Sequence, residues 1–218
     1  LSASHQPTTV VLAGKDGTLG PAALSMDNKS GQALRHAMDA AEFKGRPKTS
    51  IELLAPPRLD TKRLVIAGAG GELDANDRYN LGGAVFASIT ARKASAASVI
   101  VDLPDMSASK AVELAADLAA GAVLRSYAFK AYQTKQPDDE ANGAAKQGLK
   151  TLFLHVADPD KAIEAYAERA ALTRGVAMAR DLVNEPPNTL GPVEFAERLK
   201  ALDVPGLEVE VLDEAQLA

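Results

Sequence analysis

The continuously apolar, β-branched runs constrain this chain most. Thr8 to Ala13 reads TTVVLA, Leu64-Val65-Ile66 stands at the heart of KRLVIAGAGG, and ASVIVDLP follows some thirty residues later. A strand with apolar side chains at successive positions is buried on both faces, which requires a sheet sandwiched between helices. The segments between the runs carry helical spacing. Gln32 to Phe43 places Leu34, Ala37, Met38 and Ala41 three and four apart, and Asn76 to Lys93 is also predicted to be helical. Ser107 to about Lys130 sets Ala111, Leu114, Ala115, Leu118 and Ala122 on one face. With TSIELLAPP and KTLFLHVA as further strands, the alternation predicts a three-layer α/β domain over residues 1–157. Tyr132 to Gly148 is polar, contains Gly and Pro, and reads as loop.

The chain then changes character. Asp158-Pro159 supplies a capping carboxylate and a first-turn proline, so a helix opens there and runs to about Val183. It has to end before Pro186, because a residue preceding proline avoids the α region and proline cannot donate the next bond. Asn184-Glu185-Pro186-Pro187-Asn188 is therefore a stop, and residues 158–188 read as a connecting helix and linker. Pro192 to Leu202 reads as a short helix, and LEVEVL (Leu207 to Leu212) as an alternating strand. The acids Asp213-Glu214 suit the start of another helix, where negative charge meets the positive end of the dipole. Residues 189–218 are thus expected to open a second α/β domain that the chain does not complete.

Composition narrows the function classes. The 218 residues carry a net charge of −5, and no Lys/Arg cluster interleaves with aromatics, which disfavours nucleic-acid binding. There is no Cys, so disulfides and thiolate metal sites are excluded and a cytoplasmic setting is the expectation. No apolar run approaches the ~18 residues of a membrane span.

The sites suggested by single motifs are weak. Gly68-Ala69-Gly70-Gly71 follows the strongest strand and invites a nucleotide or ADP-ribose-like reading, but the dinucleotide fingerprint needs a third glycine where this chain has Leu73. A tight strand-to-helix turn accounts for the glycines better. His5, His36 and His155 show no metal-ligand spacing, and Asp138-Asp139-Glu140 reads as a solvated acidic loop. Tyr127, Phe129 and Tyr132 crowd three of nine Phe/Tyr side chains into six positions, either anchoring a helix end or forming an interface. No catalytic, cofactor-binding or metal-ligating residue is assigned.

Two segments are more specific. GAVLRSYAFKAYQTK resembles the stretch that ends the N-terminal domain of cytosolic leucyl aminopeptidases, a family of two-metal peptidases. ARDLVNEPPNTLGPVEFAERL, followed by LEVEVLDEAQL, is similar to that family's linker and the opening of its catalytic domain. The resemblance implies a macro-like N-terminal domain that serves assembly into a hexamer, a dimer of trimers. It implies that the intact protein releases N-terminal residues from peptides, using two divalent cations (Zn²⁺ or Mn²⁺) that polarise the scissile carbonyl and supply hydroxide. The metal-binding carboxylates and lysine, and the assisting arginine and second lysine, belong to the catalytic domain, and none maps onto this chain. The remaining catalytic domain, further copies of the chain and peptide substrates are the implied partners.

Overall fold

The computed structural model describes residues 6–92, 94–132 and 148–217. The chain divides into two compact units, one up to Thr173 and one from Arg174 onward.

In the first unit, five strands form one sheet: β1 (Thr8–Gly14), β2 (Ser50–Leu54), β3 (Arg63–Gly70), β4 (Ala96–Ile100) and β5 (Thr151–His155), in the order β2-β3-β1-β4-β5. β1, β3, β4 and β5 run parallel, with Val10 opposite Val65 on one side and Val99 on the other. β2 pairs antiparallel to β3. The burial follows the sequence pattern. β1 and β3 are buried at every position, as continuous apolar runs require, whereas SIELL alternates exposed and half-buried and takes the edge.

Four helices complete the layers: α1 (Pro21–Lys29), α2 (Ala33–Ala40), α3 (Ala75–Thr90) and α4 (Ala108–Ser126). Val10, Leu12, Val65 and Val99 face Leu81, Val85 and Ile89 of α3 and Leu114 and Leu118 of α4. Val11, Leu64, Ile66 and Ile100 face Ala23 of α1 and Leu34 and Met38 of α2. The expected three layers are therefore present.

α1 is the element that periodicity does not announce, because its start is stabilised from a distance. Gly20 has no side chain to cap it, and Asp102, just past β4, accepts the Ala22 N–H at 2.6 Å instead. At its other end the fully buried Asp27 accepts the Leu34 and Arg35 N–H groups at 3.0 and 3.1 Å, capping α2. α3 and α4 cross at backbone contact. A Cβ built on Gly82 would lie 2.1 Å from the Leu118 carbonyl oxygen, and one on Gly121 2.0 Å from that of Tyr79.

α5 (Pro159–Asn184) opens as expected, with the Asp158 carboxylate accepting the Lys161 N–H at 3.2 Å. Its residues up to Thr173 belong to the first unit. In the second unit α5 ends at the proline stop, where the Thr189 and Leu190 N–H groups both close onto the Pro186 carbonyl. α6 (Pro192–Lys200) begins at Gly191, whose N–H is accepted by Glu194 at 3.0 Å, and Arg198 pairs with Glu185 at 3.2 Å. α7 (Glu214–Leu217) is capped reciprocally, with Asp213 and Gln216 each accepting the other's N–H at 2.9 Å. The strand expected at LEVEVL does not form: residues 207–212 hold no regular structure and are exposed except for a partly covered Val209. An alternating pattern becomes a strand only beside a partner backbone, and the described residues of this unit offer helices alone.

Candidate functional site

A cleft of about 580 Å³ opens in the first unit at the carboxyl ends of β1, β3 and β4. β1 lies between β3 and β4 and is followed by helices on one face of the sheet, whereas β3 and β4 are followed by α3 and α4 on the other. In open α/β sheets that is where ligands enter. The rim is built from loops: Lys15 from the turn after β1, Gly71 and Glu72 after β3, Asp105 after β4, and Lys110 in the first turn of α4. Leu103 and Leu114, both buried, form an apolar floor with Met106.

The glycines at the end of β3 answer to packing and backbone geometry. A Cβ on Gly68 would sit 2.1 Å from the Arg46 carbonyl oxygen, and Gly70 has φ +79°, a left-handed conformation suited to glycine. Leu73, in place of the third fingerprint glycine, packs against the core. Close packing and a left-handed backbone thus account for Gly68 and Gly70, whereas a Cβ on Gly71 would meet nothing within 4 Å.

Behind the cleft lies a charged cluster that sequence reasoning missed. The Asp117 carboxylate of α4 is almost fully buried and accepts from Arg78 Nε at 2.5 Å and Arg169 Nε at 2.6 Å. Arg169 also reaches Glu113 at 2.5 Å and the Ala165 carbonyl at 2.7 Å, and Arg78 reaches the Leu73 carbonyl at 3.1 Å. Two guanidiniums against two carboxylates balance, as burial demands. The network ties α3, α4 and the first turns of α5 together. One signal was available: Asp117 interrupts the apolar face of LAADLAAG, where an acid has to be paired.

The other sequence-predicted positions scatter. His36 is exposed on α2. His155 on β5 lies 3.1 Å from the buried Ser98 hydroxyl, and burial pushes its imidazole pKa down, favouring the neutral ring. Asp213 caps α7. Phe129 and Tyr132 stack at a tilted 5.9 Å, with Tyr132 more than half exposed. His5 and Asp138-Asp139-Glu140 lie outside the described residues. Among the described residues no group of three or more His, Cys, Asp or Glu side chains could hold a metal ion, so the cations implied by the resemblance find no fitting ligand set there. No described helix is long and apolar enough to cross a membrane.

Comparison with known proteins agrees with the fold. Residues 10–136 match the cytosol aminopeptidase family, N-terminal domain. Similar proteins include probable cytosol aminopeptidases of Rhizobium rhizogenes (40% identical over 81% of this chain and 35% of the relative) and Rhodopseudomonas palustris (43%, over 83% and 35%). That of Methylorubrum extorquens is 40% identical over 95% of this chain and 40% of the relative. The chain thus spans 35% to 40% of the length of these relatives. A tomato leucine aminopeptidase mutant shares the fold, with TM-score 0.71 at 21% identity over 89% of this chain and 39% of that one. The bottromycin maturation enzyme BotP, solved in complex with Mn, gives 0.62 at 20% identity over 89% and 35%. These matches favour the aminopeptidase reading over a stand-alone nucleotide-binding module. By sequence and by fold, the chain belongs to the cytosol aminopeptidase family and corresponds to its N-terminal domain.

Proposed function

We propose that this chain is the non-catalytic, assembly-bearing portion of a cytoplasmic aminopeptidase whose complete form releases N-terminal amino acids from peptides by two-metal hydrolysis. One observation carries the reading: 43% identity to a probable cytosol aminopeptidase over 83% of this chain, confined to 35% of that relative. In this reading residues 1–157 are the macro-like domain, 158–188 the connecting helix and linker, and 189–218 the start of the metallopeptidase domain. The remainder of that domain supplies the ligands for two Zn²⁺ or Mn²⁺ ions, and copies assemble as a hexamer, a dimer of trimers. The buried and partly buried carboxylates are engaged in structure: Asp27 and Asp102 hold helix starts, and Asp117 neutralises two arginines.

The test is direct. The purified 218-residue chain is expected to show no turnover of leucine p-nitroanilide with Mn²⁺ or Zn²⁺ added. Chelator-sensitive hydrolysis that co-elutes with the chain would overturn the proposal.

A further inference from the structure

The geometry points to the cleft at the carboxyl ends of β1, β3 and β4 as a binding site for a small zwitterion with an apolar side chain, that is, a free amino acid or a dipeptide.

The first support is placement. The cleft opens where β1, followed by helices on one face, adjoins β4, followed by α4 on the other, and its volume of about 580 Å³ lies within the ~300–1,000 Å³ usual for small-molecule sites.

The second is charge. Arg78 and Glu113 border the cleft but are engaged with Asp117 and Arg169. Lys15 and Lys110, against Glu72 and Asp105, enter no side-chain ion pair or hydrogen bond among the described residues. Lys15 comes from the turn after β1 and Lys110 from the first turn of α4, while the two carboxylates come from different loops, so the rim has net charge near zero while offering both signs. A polyanion such as a nucleotide diphosphate would meet the carboxylates as well as the lysines. A ligand with one carboxylate and one ammonium can satisfy both sides, and each unlike pair also suppresses wrong partners by its like-charge contacts.

The third is the floor. Leu103, Met106 and Leu114 give an apolar surface under a charged rim, the arrangement that takes a hydrocarbon side chain and fixes its polar end.

The inference does not depend on the catalytic reading above, and free leucine, which contains no peptide bond, separates the two. Amide chemical shifts of the full 218-residue chain are followed by NMR during titration with L-leucine, leucyl-leucine, N-acetyl-leucine, leucinamide and AMP. L-Leucine or leucyl-leucine is expected to shift Gly71 and Lys110 saturably below ~10 mM. N-acetyl-leucine, lacking the ammonium, and leucinamide, lacking the carboxylate, are expected to bind at least about tenfold more weakly. Lys15→Gln and Lys110→Gln should each weaken L-leucine binding by about tenfold while leaving the thermal midpoint unchanged, since both side chains are exposed. Absence of a saturable shift with either zwitterion, equal binding of a blocked analogue, or tighter binding of AMP would each overturn the proposal.

Discussion

At the scale of single residues, the sheet edge depends on one carboxylate. Glu52 of β2 accepts from Arg92 and, at 2.7 Å, from Arg63 Nε. Arg63 in turn donates to the Ser88 and Ile89 carbonyls at 2.8 and 3.1 Å, satisfying acceptors left free at the end of α3. The hydrogen bonds from Arg92 first, then from Arg63, hold the Glu52 pKa at about 2, below the ~4.3 of an unfolded glutamate. A carboxylate depressed on folding stabilises above its unfolded pKa, and that contribution disappears as pH falls toward the folded value. The urea midpoint of the wild type should therefore exceed that of Glu52→Gln at neutral pH, with the gap closing between about pH 4.5 and pH 2. A gap that stays constant across this window would show that the charge contributes nothing. None of this was legible locally, because Glu52 and Arg92 stand 40 positions apart and meet only once β2 pairs with β3 and α3 packs on the sheet.

At the scale of elements, the α3–α4 crossing is set by glycines that permit backbone contact. Gly82 faces Leu118 and Gly121 faces Tyr79, whereas a Cβ on the neighbouring Gly83 would find its nearest atom, Arg125 Cβ, at an ordinary 3.6 Å. Gly82→Ala should overpack the crossing and cost ~2 kcal/mol or more in chemical denaturation. Gly83→Ala should be neutral or stabilise by up to ~1 kcal/mol through helix propensity. Equal effects at the two positions would remove the crossing as the explanation. A glycine pair in mid-helix is visible in the sequence as a cost awaiting a reason, but the reason lies on another helix. The same limit explains α1, whose Asp102 cap is 80 positions away, and LEVEVL, whose alternation is genuine but has no described strand beside it.

At the scale of the whole molecule, the two units differ in how much core they own. The first buries apolar side chains on both faces of its sheet. In the second, Val183, Val193 and Leu217 remain mostly exposed, and the described residues after Arg174 include no buried large hydrophobic side chain. Amide protons of β1 and β3 should therefore exchange slowly with solvent, and those of residues 207–212 at close to the free-peptide rate. Strong protection of 207–212 in the isolated chain would mean that LEVEVL has found a strand partner. The sequence by itself determined the alternation of buried strands and helices, the opening of α5 at Asp158-Pro159, its end before Pro186, and the family resemblance. The first three depend on periodicity, proline geometry or capping within a few residues, and the resemblance rests on two contiguous motifs. Only the tertiary structure decided that β2 is an antiparallel edge, that Asp117 joins three helices, and that loops from β1, β3 and β4 enclose a charge-balanced cleft. Those features exist only where residues tens of positions apart share a corner of the fold, and local chemistry cannot choose such partners.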